Sequence, residues 1–135
     1  MEKVKWTEEK VLDVIRECRI AGTRAAQEKM AELQKAGPKY AVCSGDRVVD
    51  TMLDVCGFAN LKISARGKFF QLAKKLAKDR TSRFYCDNAY RGGGYFSVYD
   101  TTRRQEMSVN RASCAAMVPV LDKYGIEARV ETRID

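Results

Sequence analysis

The chain has 135 residues, with 25 Lys and Arg against 18 Asp and Glu, five cysteines and no histidine. That length suits one domain with its own hydrophobic core, and no run of eighteen apolar residues is present to span a membrane. Without histidine, Ser-His-Asp and Cys-His catalysis, histidine metal sites and proton shuttling near neutral pH are excluded.

The net charge of +7 is unevenly placed. From Met1 to Ala59 ten basic residues face ten acidic ones, from Asn60 to Arg104 eleven face three, and the remainder holds four against five. A basic excess confined to the middle third is the footprint of a polyanionic partner. Cys18, Cys43, Cys56, Cys86 and Cys114 are odd in number and lack a Cys-x-x-Cys pair, so they read as reduced, buried thiols. The first ten residues lack the apolar stretch of a secretory signal. The expectation is a cytoplasmic protein with no membrane partner, no cofactor, no metal and no catalytic residue.

Taken in order, Thr7 caps a first helix, Glu8 and Glu9 suit its positive end, and Trp6 can staple onto Val11. Val11, Val14, Ile15 and Cys18 form its buried stripe, which thins to Ala21, Gly22, Ala25 and Ala26 before Gly37-Pro38 ends it. The helix either runs unbroken for about 29 residues, roughly 44 Å, or breaks at Gly22 with Thr23 capping a second piece. The alanine-rich stretch alternatively marks the close approach of another helix, including one from a second copy of the chain in a homodimer.

Tyr40–Cys43 and Arg47–Leu53 read as a hairpin through Ser-Gly-Asp, with helix as the alternative for the second arm. A strand then ends at Ile63, and Ser64 is placed to cap a helix whose Phe69, Phe70, Leu72, Ala73, Leu76 and Ala77 share one side. Lys68, Gln71, Lys74, Lys75 and Lys78 take the other side, a lysine stripe. Arg83–Tyr90 and Tyr95–Thr102 read as strands joined by a glycine turn. Ser108 caps a further helix that Gly125 closes, and Pro119 within it predicts a kink or a late start. Glu127–Ile134 alternates, with Ala128, Val130, Thr132 and Ile134 on one face of a half-buried strand.

From Phe58 onward the order is strand, helix, strand, strand, helix, strand, the split order of ferredoxin-like domains. The expected fold class is therefore α+β, a ferredoxin-like βαββαβ antiparallel sheet. One domain spans 1–135, with a helical segment, 1–37, packed on a core of 40–135 and the hairpin added.

Three groups of residues suggest chemistry. Asp46, Asp50 and Asp54 recur every fourth residue, as carboxylate or magnesium sites can, although solvated acids are the ordinary case. Arg66, Gly67 and Lys68 open the middle helix, where cations are disfavoured unless an anion joins them, so they form a candidate phosphate site without Walker spacing. Arg91-Gly-Gly-Gly-Tyr-Phe-Ser-Val-Tyr99 resembles the strand-three signature of the RNA recognition motif, whose aromatics stack on bases. Arg91, Gly92, Gly94 and Tyr95 fit it, while Gly93, where an aromatic is expected, Phe96 and Val98 depart from it. Asn60-Leu61 matches the end of the companion strand-one signature, and Cys56-Gly57 does not match its start.

From about Tyr40 to the end the chain also resembles a group of small proteins carried by bacterial phages and mobile elements. That resemblance rests on Leu53–Ala59, Arg66-Gly-Lys-Phe69, Gly92-Gly-Gly-Tyr95, Gly125-Ile-Glu-Ala128 and Arg133-Ile-Asp135, and it implies no activity or catalytic residue. The expected function is non-enzymatic binding of RNA or DNA. Lys62, Arg66, Lys68, Lys75, Lys78 and Arg91 would meet phosphates, and Tyr95 with Tyr99 or Phe96 would stack on bases. The alternatives are a phage-type protein that sequesters a phosphate-bearing nucleotide at Arg66, and a protein-protein interaction module using the alanine-rich helix.

Overall fold

A computed structural model of the chain describes residues 4–37, 40–44, 47–52, 57–102 and 106–134, with 40–44 and 47–52 defined by backbone alone. The first helix, α1 (Glu8–Ala36), starts where Thr7 Oγ1 accepts a hydrogen bond from the Lys10 N–H at 3.1 Å. Gly37, at φ 88°, ends it by turning its N–H to the carbonyls of Leu33 and Gln34. The helix is unbroken, so the Gly22-Thr23 alternative does not occur. Gly22 instead lies against a later helix of the same chain, where a methyl group would sit 2.5 Å from Met117 Cε and 2.7 Å from Ser113 Oγ. Thr23 caps nothing within α1; its hydroxyl accepts from the Thr101 N–H at 3.2 Å.

The strands β1 (Tyr40–Ser44) and β2 (Arg47–Met52) pair antiparallel in a sheet of their own, with an irregularity between Val42 and Cys43. The second arm is thus strand rather than helix. From Gly57 the elements run β3 (Gly57–Ile63), α2 (Lys68–Leu76), β4 (Phe84–Asn88), β5 (Gly94–Val98), α3 (Met107–Lys123) and β6 (Ala128–Ile134). Four of these strands form one antiparallel sheet in the order β4-β5-β3-β6. The chain is therefore α+β, with three helices and a four-stranded antiparallel sheet among the described residues. β4 and β5 pair from Phe84 opposite Val98 to Asn88 opposite Gly94, as the alternating runs on either side of the glycine turn predict.

Two helix starts differ from expectation. α2 has Gly67, at φ 97°, as its N-cap, and the Ser64 hydroxyl accepts from the Arg66 N–H one turn earlier, at 3.2 Å. α3 begins at Met107 after Glu106, so Ser108 lies inside the first turn instead of capping it. There is no late start, and the helix continues across Pro119.

One face of the sheet is closed by the helices. Ala59, Leu61 and Ile63 of β3, Phe84 and Cys86 of β4, and Phe96 and Val98 of β5 join Phe69, Phe70 and Ala73 of α2 in a single core. Cys114, Met117 and Leu121 of α3 and Val11, Val14, Ile15 and Cys18 of α1 complete it. Trp6 reaches into the same cluster, its ring centroid 4.9 Å from that of Phe69 and 6.3 Å from that of Tyr124. Arg19 ties α1 to the sheet edge by donating to the carbonyls of Ser82 (3.1 Å), Arg83 (3.2 Å) and Tyr99 (3.4 Å).

Phe70 lies so close to β5 that a methyl on Gly94 would come within 2.2 Å of its ring. An aromatic ring held in a core cannot retreat as a flexible chain end can, so Gly94→Ala is expected to lower stability by about 1–3 kcal/mol through overpacking. Leu61→Ala empties a fully buried site on the central strand and is expected to cost about 2–5 kcal/mol. Urea denaturation of the two variants beside the wild type checks both values.

Candidate nucleic-acid interface

Burial alternates along β3, so sinking Ala59, Leu61 and Ile63 into the core turns Phe58, Asn60 and Lys62 to the opposite face. The ladder sets their neighbours. Lys62 lies opposite Tyr95 on one side and Arg129 on the other, Asn60 opposite Glu131, and Phe58 opposite Arg133. On β4 the same alternation exposes Tyr85 and Asp87. The outer face thus carries aromatic and cationic side chains on neighbouring strands, and its Phe58 is 56% exposed.

Contacts within this face are specific. Lys62 Nζ sits 5.1 Å from the centroid of the Tyr95 ring, a cation-π distance. Its stem runs beside Gly93, where a side chain would meet Lys62 Cε at 3.0 Å. The neighbouring Glu131 carboxylate, more than any other influence, holds the Tyr95 phenol above its ordinary pKa. Arg129 Nη2 approaches Glu131 Oε1 at 3.3 Å. Tyr85 is also raised, by burial first and then by the Asp87 carboxylate. A cavity of about 420 Å³ opens here between Phe58, Asn60, Tyr95, Glu131, Thr132 and Arg133, within the size range of small-ligand sites.

The residues singled out from the sequence are scattered over the structure. Lys62 and Tyr95 lie together on the outer face. Arg66 and Lys68 are exposed at the start of α2, beside a second cavity of about 310 Å³ that Trp6, Tyr124 and Glu127 also line. Lys75 and Lys78 are exposed on the helical side, and Lys75 is engaged by Glu8 at 2.9 Å. Lys74, from the same stripe, reaches around the edge to Asn88 (2.5 Å) and Asp87 (3.7 Å). Arg91 is exposed in the β4-β5 turn, and Tyr99 follows β5, 55% exposed. Phe96, the alternative stacking residue, is fully buried in the core and cannot stack on a base.

Apart from Asn60, which entered only through the strand-one signature, Phe58, Tyr85, Arg129, Glu131 and Arg133 were not among the candidate site residues read from the sequence. For the last three a signal existed: once Ala128 and Val130 are assigned inward, the alternating residues must face out. Phe58 carried the opposite signal, because an aromatic in a strand ordinarily reads as core.

No family model, curated protein or solved structure matches the chain. The Asp46, Asp50 and Asp54 set lies outside the described side chains. Among the described residues no group of three Cys, Asp or Glu side chains is arranged to hold a metal ion. Cys18, Cys86 and Cys114 are buried and unpaired, while Cys43 and Cys56 fall outside the described side chains.

Burial pushes the Cys18 and Cys86 thiols up to about 12 and the Cys114 thiol to about 11, against an ordinary 9.0. Thiolate is the reactive form, so at pH 8 these groups are expected to resist an aromatic disulfide reagent until the chain unfolds. The check is thiol titration in a Cys43→Ser, Cys56→Ser background, with and without denaturant. Because the folded values lie above the unfolded one, the folded state loses stability as pH rises from about 9 toward 12. The urea midpoint is expected to fall across that window.

Proposed function

We propose that the protein binds single-stranded nucleic acid, RNA or DNA, on the outer face of a ferredoxin-like sheet, without catalysing a reaction. The observation that carries this reading is the placement of Phe58 and Tyr95 on the two central strands, bordered by Lys62, Arg129 and Arg133. The exposed Phe58 and half-buried Tyr95 rings offer stacking surfaces that a base-paired duplex cannot use, and the flanking cations suit the phosphates between bases. The resemblance to the RNA recognition motif supports it at one position: Tyr95, the aromatic that fits the signature, is on this face. Gly93, where the signature has a second aromatic, instead leaves room for the Lys62 stem. On this reading Lys68, Lys75 and Lys78 lie on the helical side and touch no strand laid across the sheet.

A second reading, capture of a phosphate-bearing nucleotide, draws on the cavity beside Arg66 and Lys68 with the Trp6 ring in its wall. The same cavity includes Glu127, which opposes a phosphate.

Fluorescence anisotropy with labelled single-stranded and duplex oligonucleotides across a salt series separates the two. Single strands are expected to bind with a salt slope whose magnitude falls by about 0.7 for each phosphate contact removed, as by Lys62→Ala or Arg133→Ala. Tyr95→Ala or Phe58→Ala should weaken binding by about 1–3 kcal/mol with little change in slope. The triple Lys68, Lys75, Lys78→Ala variant is expected to match the wild type. Absence of salt-dependent binding by the wild type, with nucleotide absorbance retained through purification, would transfer the function to the Arg66 cavity.

A further inference from the structure

Glu131 is an odd member of a face built to meet phosphates. Like charges at contact distance repel more strongly at a protein surface than in bulk water, so a carboxylate here opposes binding unless it meets a donor. It lies on β6 directly opposite Asn60, in the wall of the 420 Å³ cavity. The Arg129 guanidinium engages it at 3.3 Å, and the Tyr95 hydroxyl is its neighbour. An ionised carboxylate offers about four acceptor positions, so even with both as partners it has capacity for two more bonds. The Asn60 side chain makes no hydrogen bond among the described residues.

This inference rests on the single-strand reading of the same face. We infer that the cavity takes a guanine base, stacked on Phe58 or Tyr95, whose adjacent N1–H and N2–H₂ donors pair with the Glu131 carboxylate while the Asn60 amide donates to O6. Guanine alone among the four common bases presents two neighbouring donors on its Watson–Crick edge. Adenine and cytosine each turn a ring-nitrogen lone pair toward the carboxylate, and uracil flanks its one ring N–H with two carbonyls. The carboxylate therefore selects by repelling the other three bases as well as by pairing with guanine.

The test uses labelled nine-residue RNA strands of uridine in which the central position is G, inosine, A, C or U. The G strand is expected to bind about tenfold or more tighter than the A, C and U strands, the discrimination of one bidentate base contact. Inosine, which lacks the 2-amino group, should fall between them. Glu131→Gln is expected to abolish the preference for G while keeping the salt slope, with Asn60→Ala as an independent second variant that narrows the preference. Equal affinity for all five strands with a normal salt slope would overturn guanine selection and leave the single-strand function standing. So would a Glu131→Gln protein that still prefers G. No salt-dependent binding to any strand overturns the function itself and the guanine site with it.

Discussion

The burial of Ala59, Leu61 and Ile63 is the constraint on which the outer face depends. β3 is paired on both sides, with β5 and with β6, so its side-chain alternation is transmitted to two neighbours through the ladder. A slip of one residue would bring Phe58, Asn60 and Lys62 into the core and expose Leu61. Burying an amide and an ammonium group without partners is costly enough to exclude that register. The outer face is thus maintained by the apolar contacts behind it: what Phe69, Phe70 and Met117 hold inward determines what Tyr95 and Arg133 present outward.

The same arrangement explains why the basic middle third does not form one patch. Lys62 is six residues before Lys68 in the chain, yet the turn at 64–67 carries the backbone from the sheet to the helical layer. Their side chains therefore serve opposite sides of the molecule. Lys75 is used to fasten α2 to α1 through Glu8, and Lys74 to fasten it to β4. These are exposed pairs of small individual energy, and their effect is to occupy cations that otherwise look available. The sheet face recovers its positive charge from Arg129 and Arg133, which come from the last strand and lie outside the basic third altogether.

The long α1 has a comparable logic. Its thin, alanine-rich stripe accommodates α3 at close range, with Gly22 against Ser113 and Met117. The broad end carrying Val11, Val14 and Ile15 enters the main core. Glu17 joins the far end of α3 by accepting from Lys123 at 2.7 Å and from Tyr124 at 2.6 Å, contacts that hold its carboxyl below the usual range. Arg19 meets the carbonyls of Ser82 and Tyr99 at the ends of β4 and β5, and that of Arg83, which also accepts from the Tyr99 N–H at 3.1 Å. One helix therefore braces both the helical layer and the hairpin that carries Tyr95.

Local signals in the amino-acid order were sufficient for most elements. Thr7 and Gly37 mark the ends of α1 because capping is a contact among nearby residues, and the glycine turn at 92–94 joins two alternating runs. Apolar spacing in α2 specifies which side is core, whereas alternation in β6 does so only for Ala128 and Val130, which pack on the core. Thr132 and Ile134, expected on the same buried face, are exposed because they lie at the end of an edge strand. Ser64 does not cap α2 because its hydroxyl bonds within its own turn, and Ser108 does not cap α3 because the helix starts one residue earlier and leaves its buried hydroxyl without a partner among the described residues. Tertiary structure alone decided which strands are neighbours, and with that which side chains meet. Nothing in the chain order brings Tyr95 to Glu131 and Arg129, since β5 and β6 meet only across β3. It also placed Phe58 outside and Phe96 inside, two phenylalanines in strands that composition cannot tell apart, because inside and outside are properties of the whole sheet and of the layer packed against it.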